Sequence, residues 1–449
     1  MDCFAGYIAK AGFELGQHVG VSVPRSLDAN RVMAGYAILT FFVCLGSGLS
    51  GPVFALHAQS VGASFRQVGM ISAAASIMHA VFSVQMGRLS DVYGAEWMFL
   101  IAASAVALSG LTYLFSGALG AVALGKAFDS LVIASFWPAM ETASTAAVGA
   151  AGHSMGIIYT AYPVASFLAG AASGWISGRF GYRASFAACL AAGLVSVTGV
   201  ATGKLTTSPF RRTERSSTRV RRAGSHGWPQ GTGPQNMGGA QVRRGWLASR
   251  ILPGSMPGFA VALTVCTTFC LMVALMWTYL PLLAEARGMG VEAVGLLVAL
   301  FWAGRTIVSW PAGAASERVG RSVVMAPALA LGAVGSALVV HGGAGAAMFA
   351  GVAMMGMCSG ACAPVAMALG VDCVSPAHRG WALGLCENFC GIGFLVSGVV
   401  GGVLAGRHGP AAPFAATSIT AGIVAVLIIP ALNRGSRHGV RPWRRAGRE

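Results

Sequence analysis

Charged residues are too scarce in this chain to coat a soluble protein. Asp, Glu, Lys and Arg make up 10% of its 449 residues, against 55% hydrophobic ones. Acidic residues are the scarcer sign, 14 against 30 basic, which leaves a net charge of +16. No stretch pairs a basic face with a soluble core, so the surplus does not point to nucleic acid. The Arg residues instead gather in a few polar segments, the pattern that marks the cytoplasmic side of a membrane protein and its contacts with anionic lipid. Motifs of enzymes are missing as well. No Gly-x-x-x-x-Gly-Lys-Ser/Thr run is present to cradle a nucleotide, and the serine-hydrolase and zinc-enzyme patterns are absent. The chain is therefore expected to be no enzyme and to carry no cofactor or metal. The ten cysteines lie mostly within apolar runs, where a thiol behaves as a small hydrophobe rather than as part of a disulfide framework. Residues 1–31 lack a signal-peptide core, being interrupted by Glu14 and Asp28, so the first hydrophobic run is expected to act as an uncleaved span.

What is present is apolar length. The mean hydropathy is +0.69, and a bilayer needs about 20 apolar residues per helical crossing. Runs of that length are predicted at 33–55, 66–86, 97–116, 118–140, 154–178 and 184–203, then at 257–282, 291–312, 322–341, 344–370, 379–405 and 411–432. The fold class expected is thus an all-α polytopic membrane protein of 12 transmembrane helices in two six-helix, pseudo-symmetric halves. Its parts are an N-terminal segment 1–32, a first half 33–203, a basic Gly/Pro/Ser-rich linker 204–256, a second half 257–432 and a basic tail 433–449. Most of the Lys and Arg residues fall in the tails and linker, leaving Arg66, Arg179, Arg183, Arg287 and Arg407 for the opposite side. That bias predicts an inner (cytoplasmic) membrane protein with both termini cytoplasmic.

An internal repeat is the most specific signal. Gly87-Arg88-Leu89-Ser90-Asp91-Val92-Tyr93-Gly94 returns as Gly313-Ala314-Ala315-Ser316-Glu317-Arg318-Val319-Gly320, at an offset of 226. Val68-Gly69 returns as Val294-Gly295 and Pro138 as Pro364 at the same offset. Gly178-Arg179-Phe180-Gly181 returns as Gly406-Arg407-His408-Gly409 at an offset of 228. Two six-helix halves with a substrate between them is the architecture this repeat implies.

Residues Gly87 to Gly94 resemble the loop signature of the major facilitator superfamily, Gly-x-Leu-x-Asp-x-x-Gly followed by basic residues. The likeness covers the chain apart from its first ~30 residues and the linker. The first copy departs from the pattern, with Val92, Ala95 and Glu96 where the family has basic residues, whereas the second copy keeps Arg318 and Arg321. The resemblance implies transport by alternating access, a cavity lined by spans one, four, seven and ten, and a conformational latch. The latch would comprise Gly87, Arg88, Asp91, Gly94, Gly313, Glu317, Arg318, Gly320 and Arg321, with Asp91 placed to face a helix dipole.

Ionisable residues inside spans are costly and mark function. Lys126 and Asp129, three apart, share a face of span four. The family often has an Arg and a Gln at this spacing, implicated in proton coupling, and Lys126 resembles that Arg. A structural ion pair is the competing reading. Glu387, about six residues into span eleven, is read either as a desolvated carboxyl, which suits a proton carrier, or as a wet one at the cytoplasmic mouth of its span. Arg305 in span eight can bind an anionic substrate or snorkel to the membrane edge. Candidate substrate contacts are Trp137, Trp277, Tyr279, Arg305 and Asn388, although Trp277 and Tyr279 also suit an interfacial belt. Pro138, beside Trp137, is expected to break the hydrogen-bond ladder of its helix near the cytoplasmic end, where helices must flex. Sulfur recurs four apart at Met354/Cys358/Cys362, Met272/Met276, Cys266/Cys270 and Cys386/Cys390, a spacing soft ligands for Cu(I) would use but also ordinary packing.

The leading expectation is proton-coupled export of a small organic molecule. Uptake of a nutrient such as a sugar or organic acid is the alternative, followed by Cu(I) import and a non-transporting membrane sensor. The expected partners are that substrate, protons and the lipid bilayer, with a monomeric chain and no nucleic acid.

Overall fold

The computed structural model describes residues 27–148, 151–205, 251–252, 255–375 and 378–436. Residues 1–26 of the expected N-terminal segment, most of the linker (206–250) and the tail from 437 lie outside the described residues.

The apolar runs form helices, as lipid requires of a backbone that must satisfy its own hydrogen bonds. The first set comprises α1 (Leu27–Ser60), α2 (Phe65–Tyr93), α3 (Ala95–Leu114), α4 (Leu119–Val148), α5 (Ala151–Phe180) and α6 (Tyr182–Ala201). The second comprises α7 (Met256–Thr278), α8 (Leu280–Ala286), α9 (Val291–Val319), α10 (Arg321–His341), α11 (Ala346–Asp372), α12 (Arg379–His408) and α13 (Ala412–Ser436). Among the described residues ten helices are long and apolar enough to cross a membrane. The expectation was twelve. The two further runs predicted, 154–178 and 411–432, also fold as helices, α5 and α13, the latter apolar over Ala412–Ile428 among the described residues.

The repeat is visible in the backbone. Single-residue turns at Gly94, Gly181, Gly320 and Gly409 have φ of 93°, 79°, 105° and 85°, values that only glycine adopts without strain. Gly94 and Gly320 stand at one repeat offset, Gly181 and Gly409 at the other. The packing partners repeat too. α1 packs on α5 and α6 as α7 packs on α12 and α13, and α3 packs on α4 and α6 as α10 packs on α11 and α13.

Pro138 lies inside α4 and Pro364 inside α11 without ending either helix; each leaves one rung of the backbone ladder unmade while neighbouring helices carry the helix past it. A break that the sequence does not announce falls in span seven, where α7 stops at Thr278 and α8 restarts with Pro281 in its first turn.

The halves meet along two seams, α2 with α12 and α5 with α9. Both seams are made of backbone. A Cβ on Gly174 would stand 2.7 Å from the Gly295 Cα, one on Gly398 2.7 Å from the Ala73 nitrogen, and one on Gly69 2.7 Å from the Gly402 Cα. These positions cluster at the end of the bundle where α1 turns into α2, the far end. The other end carries the linker. Eleven residues before Gly398, on nearly the same face of α12, Glu387 is exposed, as is its neighbour Asn388. The halves are thus closed at the far end and parted at the linker end. Of the two readings of Glu387, its exposure fits the one at the mouth of the span, on a helix face that looks into the gap.

Candidate functional site

A row of aromatic rings crosses from one half to the other. Trp137 on α4 lies 5.2 Å from Tyr162 on α5, Tyr162 lies 4.9 Å from Trp302 on α9, and Trp302 lies 5.9 Å from Trp277 on α7. The contacts are edge-on or tilted, the arrangement that ring quadrupoles favour. Trp277 reaches the row because α1 has only hydrogen at Gly51, which faces the indole. Trp302 is fully buried, and its Nε1 has no hydrogen-bond partner among the described residues, which leaves a donor with nothing to satisfy it.

Arg305 sits one helical turn beyond Trp302 on the same face of α9. Its Nη1 donates to Ser359 Oγ on α11 at 2.7 Å, and its guanidinium lies 5.4 Å from the Trp302 ring and 5.9 Å from Phe269. The approach of α11 depends on Gly356 and Gly360, where any side chain would strike the backbone of Phe301 or Arg305. The guanidinium is held on its side next to aromatic faces and not stretched to the membrane edge. A planar cation against rings can take an anion by paired hydrogen bonds and an apolar body by stacking.

The predicted residues fall into separate groups. Trp137, Trp277 and Arg305 come together. Tyr279 does not join them: it is fully buried at the α7–α8 break, and its hydroxyl donates to the Ser397 and Gly398 carbonyls, each at 3.4 Å. It is thus neither a belt residue nor beside Trp302, because the helix break turns it into the α2–α12 seam. Glu387 and Asn388 lie on the gap face of α12. Tyr162, Phe269 and Ser359 had no predicted role. Tyr162 was visible only as the residue before Pro163, and nothing in the sequence distinguished Phe269 and Ser359.

Lys126 and Asp129 form a second constellation, within the first half. Lys126 Nζ lies 3.6 Å from Asp129 Oδ2 and 4.5 Å from the Phe54 ring centroid. Ser109 donates to Asp129 Oδ1 at 2.5 Å and Tyr113 to Oδ2 at 3.1 Å. Both donors come from α3. The carboxylate therefore has three partners in a buried setting, as a burial of that kind requires.

The latch residues differ between copies. The side chains of Arg88 and Asp91 lie outside the described set, while Gly87 has open space around it and Gly94 forms the turn. In the second copy Gly313 has open space, and Glu317 and Arg318 are exposed. Arg321 donates to Ser316 Oγ at 2.6 Å and pairs with Asp372 at 3.2 Å, tying the start of α10 to the ends of α9 and α11. The first copy has Ala95 and Ala146 at the positions matching Arg321 and Asp372. The end of the linker is also anchored: Ile251 bridges Val374, and Leu252 N donates to Cys373 O at 3.0 Å.

Against known proteins, the family model of the Major Facilitator Superfamily matches residues 36–293 and 261–448. An uncharacterised MFS-type transporter of Methanocaldococcus jannaschii is 25% identical over 154 residues, 34% of this chain and 40% of that relative's length. Among solved structures, the POT family transporter PepTSo superposes with a TM-score of 0.66 at 13% identity, covering 92% of this chain and 99% of its own. The nucleoside transporter NupG superposes at 0.62 with 15% identity, covering 90% and 98%. A bacterial homologue of the human lysosomal transporter Spinster, inward-facing and occupied, superposes at 0.65 with 13% identity, covering 93% and 98%.

Proposed function

Because this chain belongs to the major facilitator superfamily and is a membrane transporter, not an enzyme, we propose that it exports a small organic molecule by alternating access, driven by protons. The observation carrying this reading is the Trp137–Tyr162–Trp302–Trp277 row beside Arg305. It joins both halves, at the depth where rocking about the seams would open it to one side and then the other. Export is favoured by the aromatic and apolar character of that row. The runner-up is uptake of an organic acid or sugar, and the observation favouring it is the guanidinium of Arg305.

In this reading Trp137, Trp277 and Arg305 contact the substrate, Asn388 lies on its path, and Lys126 with Asp129 provides the proton coupling. Protonation of Asp129 would release Lys126 and loosen α3 from α4. The glycine turns and charges at Gly87–Gly94 and Gly313–Arg321 act as the latch. The linker end, with both termini, faces the cytoplasm of a monomer in the inner membrane.

The test is reconstitution in vesicles holding a pH-sensitive dye, challenged with panels of hydrophobic drugs, sugars and organic acids. A proton flux triggered by one class supports coupled transport and names the substrate. Transport of a substrate with no proton movement would overturn the coupling. Silence across the panel by folded, inserted protein would overturn the whole reading.

A further inference from the structure

Arg305 and its neighbours leave several hydrogen-bonding groups unused at one level of the bundle. Arg305 is the middle residue of α9 (Val291–Val319) and Ser359 the middle residue of α11 (Ala346–Asp372), so their contact lies half-way along both helices. Of the guanidinium nitrogens only Nη1 has a hydrogen-bond partner among the described residues, the Ser359 hydroxyl. The ion pairs among those residues are Lys126–Asp129 and Arg321–Asp372, and neither includes Arg305. Trp302 is fully buried with its Nε1 unpartnered, and Ser47 Oγ is a second buried atom without a partner. Ser47 lies near the middle of the span Val32–Ser60, one turn from Gly51 and on the same face of α1, the face that meets the Trp277 indole.

These open groups share a chemistry. A guanidinium and an indole N–H can only donate, and a serine hydroxyl is able to donate. An ionised carboxylate only accepts, and its two oxygens match the fork of a guanidinium. A sugar hydroxyl or an amide would bring donors that neither the guanidinium nor the indole can accept. The charge on offer is single, because Lys126, the other Lys or Arg deep in the bundle among the described residues, is committed to Asp129. A phosphate ester or a dicarboxylate would carry a second negative charge without a partner, at a depth where that is costly. Beside the cation the lining is aromatic. Trp137, Tyr162 and Trp277 are half-buried. The Trp137–Tyr162 and Tyr162–Trp302 pairs meet at 78° and 71°, which leaves ring faces free to stack on a flat body.

We propose that the substrate is a flat aromatic monocarboxylate, its carboxylate on the free edge of Arg305 and its ring among Trp137, Tyr162 and Trp277. This rests on the transport reading above and narrows it to one chemical class. Tyr162 and Trp277 flank the buried Trp302, so the acid meets Arg305 first, and the Trp302 N–H is reached when one of the flanking rings turns aside. An N–H that gains its partner only on binding adds to the affinity for a ligand that can accept from it.

The test is equilibrium dialysis of purified full-length protein, near neutral pH where the acids are ionised. The probes are benzoate, cinnamate and indole-3-acetate, each beside its primary amide, with acetate as the charge without a ring. At least one aromatic acid is expected to be retained, and about tenfold more tightly than its amide or acetate. Arg305→Gln should weaken that retention about a hundredfold, and Trp302→Phe, which keeps a ring but loses the N–H, about fivefold. Trp310→Phe, at an exposed indole on the same helix, should leave it unchanged. Amides bound as well as their acids, acetate bound as well as the aromatic acids, or full retention by Arg305→Gln overturns the proposal, as does no retention of any acid by the wild type. Should Arg305→Gln fail to fold, the acid-to-amide ratio of the wild type decides. Failure of the transport reading looks different: a retained acid that drives no flux in vesicles removes transport and leaves the binding site standing. Flux driven by other compounds, with no acid retained, removes the substrate class alone.

Discussion

Asp129 is the most heavily committed side chain in the first half, bound by Ser109, Tyr113 and Lys126 at once. Removing one member of a buried pair leaves the other charge stranded, which costs about 3–5 kcal/mol. Asp129→Ala is therefore expected to lower stability by that order, and adding Lys126→Met should restore much of it. A detergent-based unfolding titration of the three variants checks this, and equal loss in the single and double variants would contradict it. Arg305 calls for a different experiment. Lysine can reach Ser359 or lie over Trp302, but a compact ammonium cannot do both as a planar fork does. With an anionic substrate, Arg305→Lys should raise KM about tenfold, the loss of one charge-assisted hydrogen bond, with kcat little changed. An unaltered KM would remove Arg305 from the site. Residue chemistry was partly legible beforehand: Arg305 and the tryptophans could be picked out by type and depth. Their partners could not, because Tyr162, Phe269 and Ser359 come from three other helices and carry no signature alone.

Helices show where the sequence was most and least informative. Spacing of apolar runs placed nearly every helix, and the repeat offsets of 226 and 228 reappear as matched glycine turns. The break at Tyr279 was hidden, since Pro281 reads equally well as the end of a span. The seams lead to a prediction of their own. Gly174 approaches Gly295 so closely that Gly174→Ala must push α5 off α9, at a cost of about 1–3 kcal/mol as for other overpacked sites. The far end should loosen, and spin-label distances across α5 and α9 there should broaden or lengthen. Distances unchanged from wild type would mean the seam yields by other means.

The bundle as a whole is closed at one end and parted at the other, and this is what makes the gap face of α12 testable. The nine described cysteines are all buried, so in a chain that also carries Cys3→Ala a new surface thiol stands out. Asn388→Cys should react with a membrane-impermeant maleimide applied on the linker side, while Ala73→Cys, under Gly398, should stay unmodified. A mass shift on both or on neither would contradict this arrangement of the halves. The latch is lopsided at the same scale. The second half ties three helices with Arg321, Ser316 and Asp372, whereas the first keeps Ser90 for Ser316 but has Ala95 and Ala146 for Arg321 and Asp372, so that charged tie is not repeated there.

The glycine seams also have a genetic consequence. Glycine codons all begin with two guanines, and every missense change of a single base adds at least a Cβ. At Gly69, Gly174, Gly295 and Gly398 no such change is neutral in space. A random mutagenesis screen for loss of transport should accordingly collect alleles at these four codons, although none of them encodes a residue that touches the substrate.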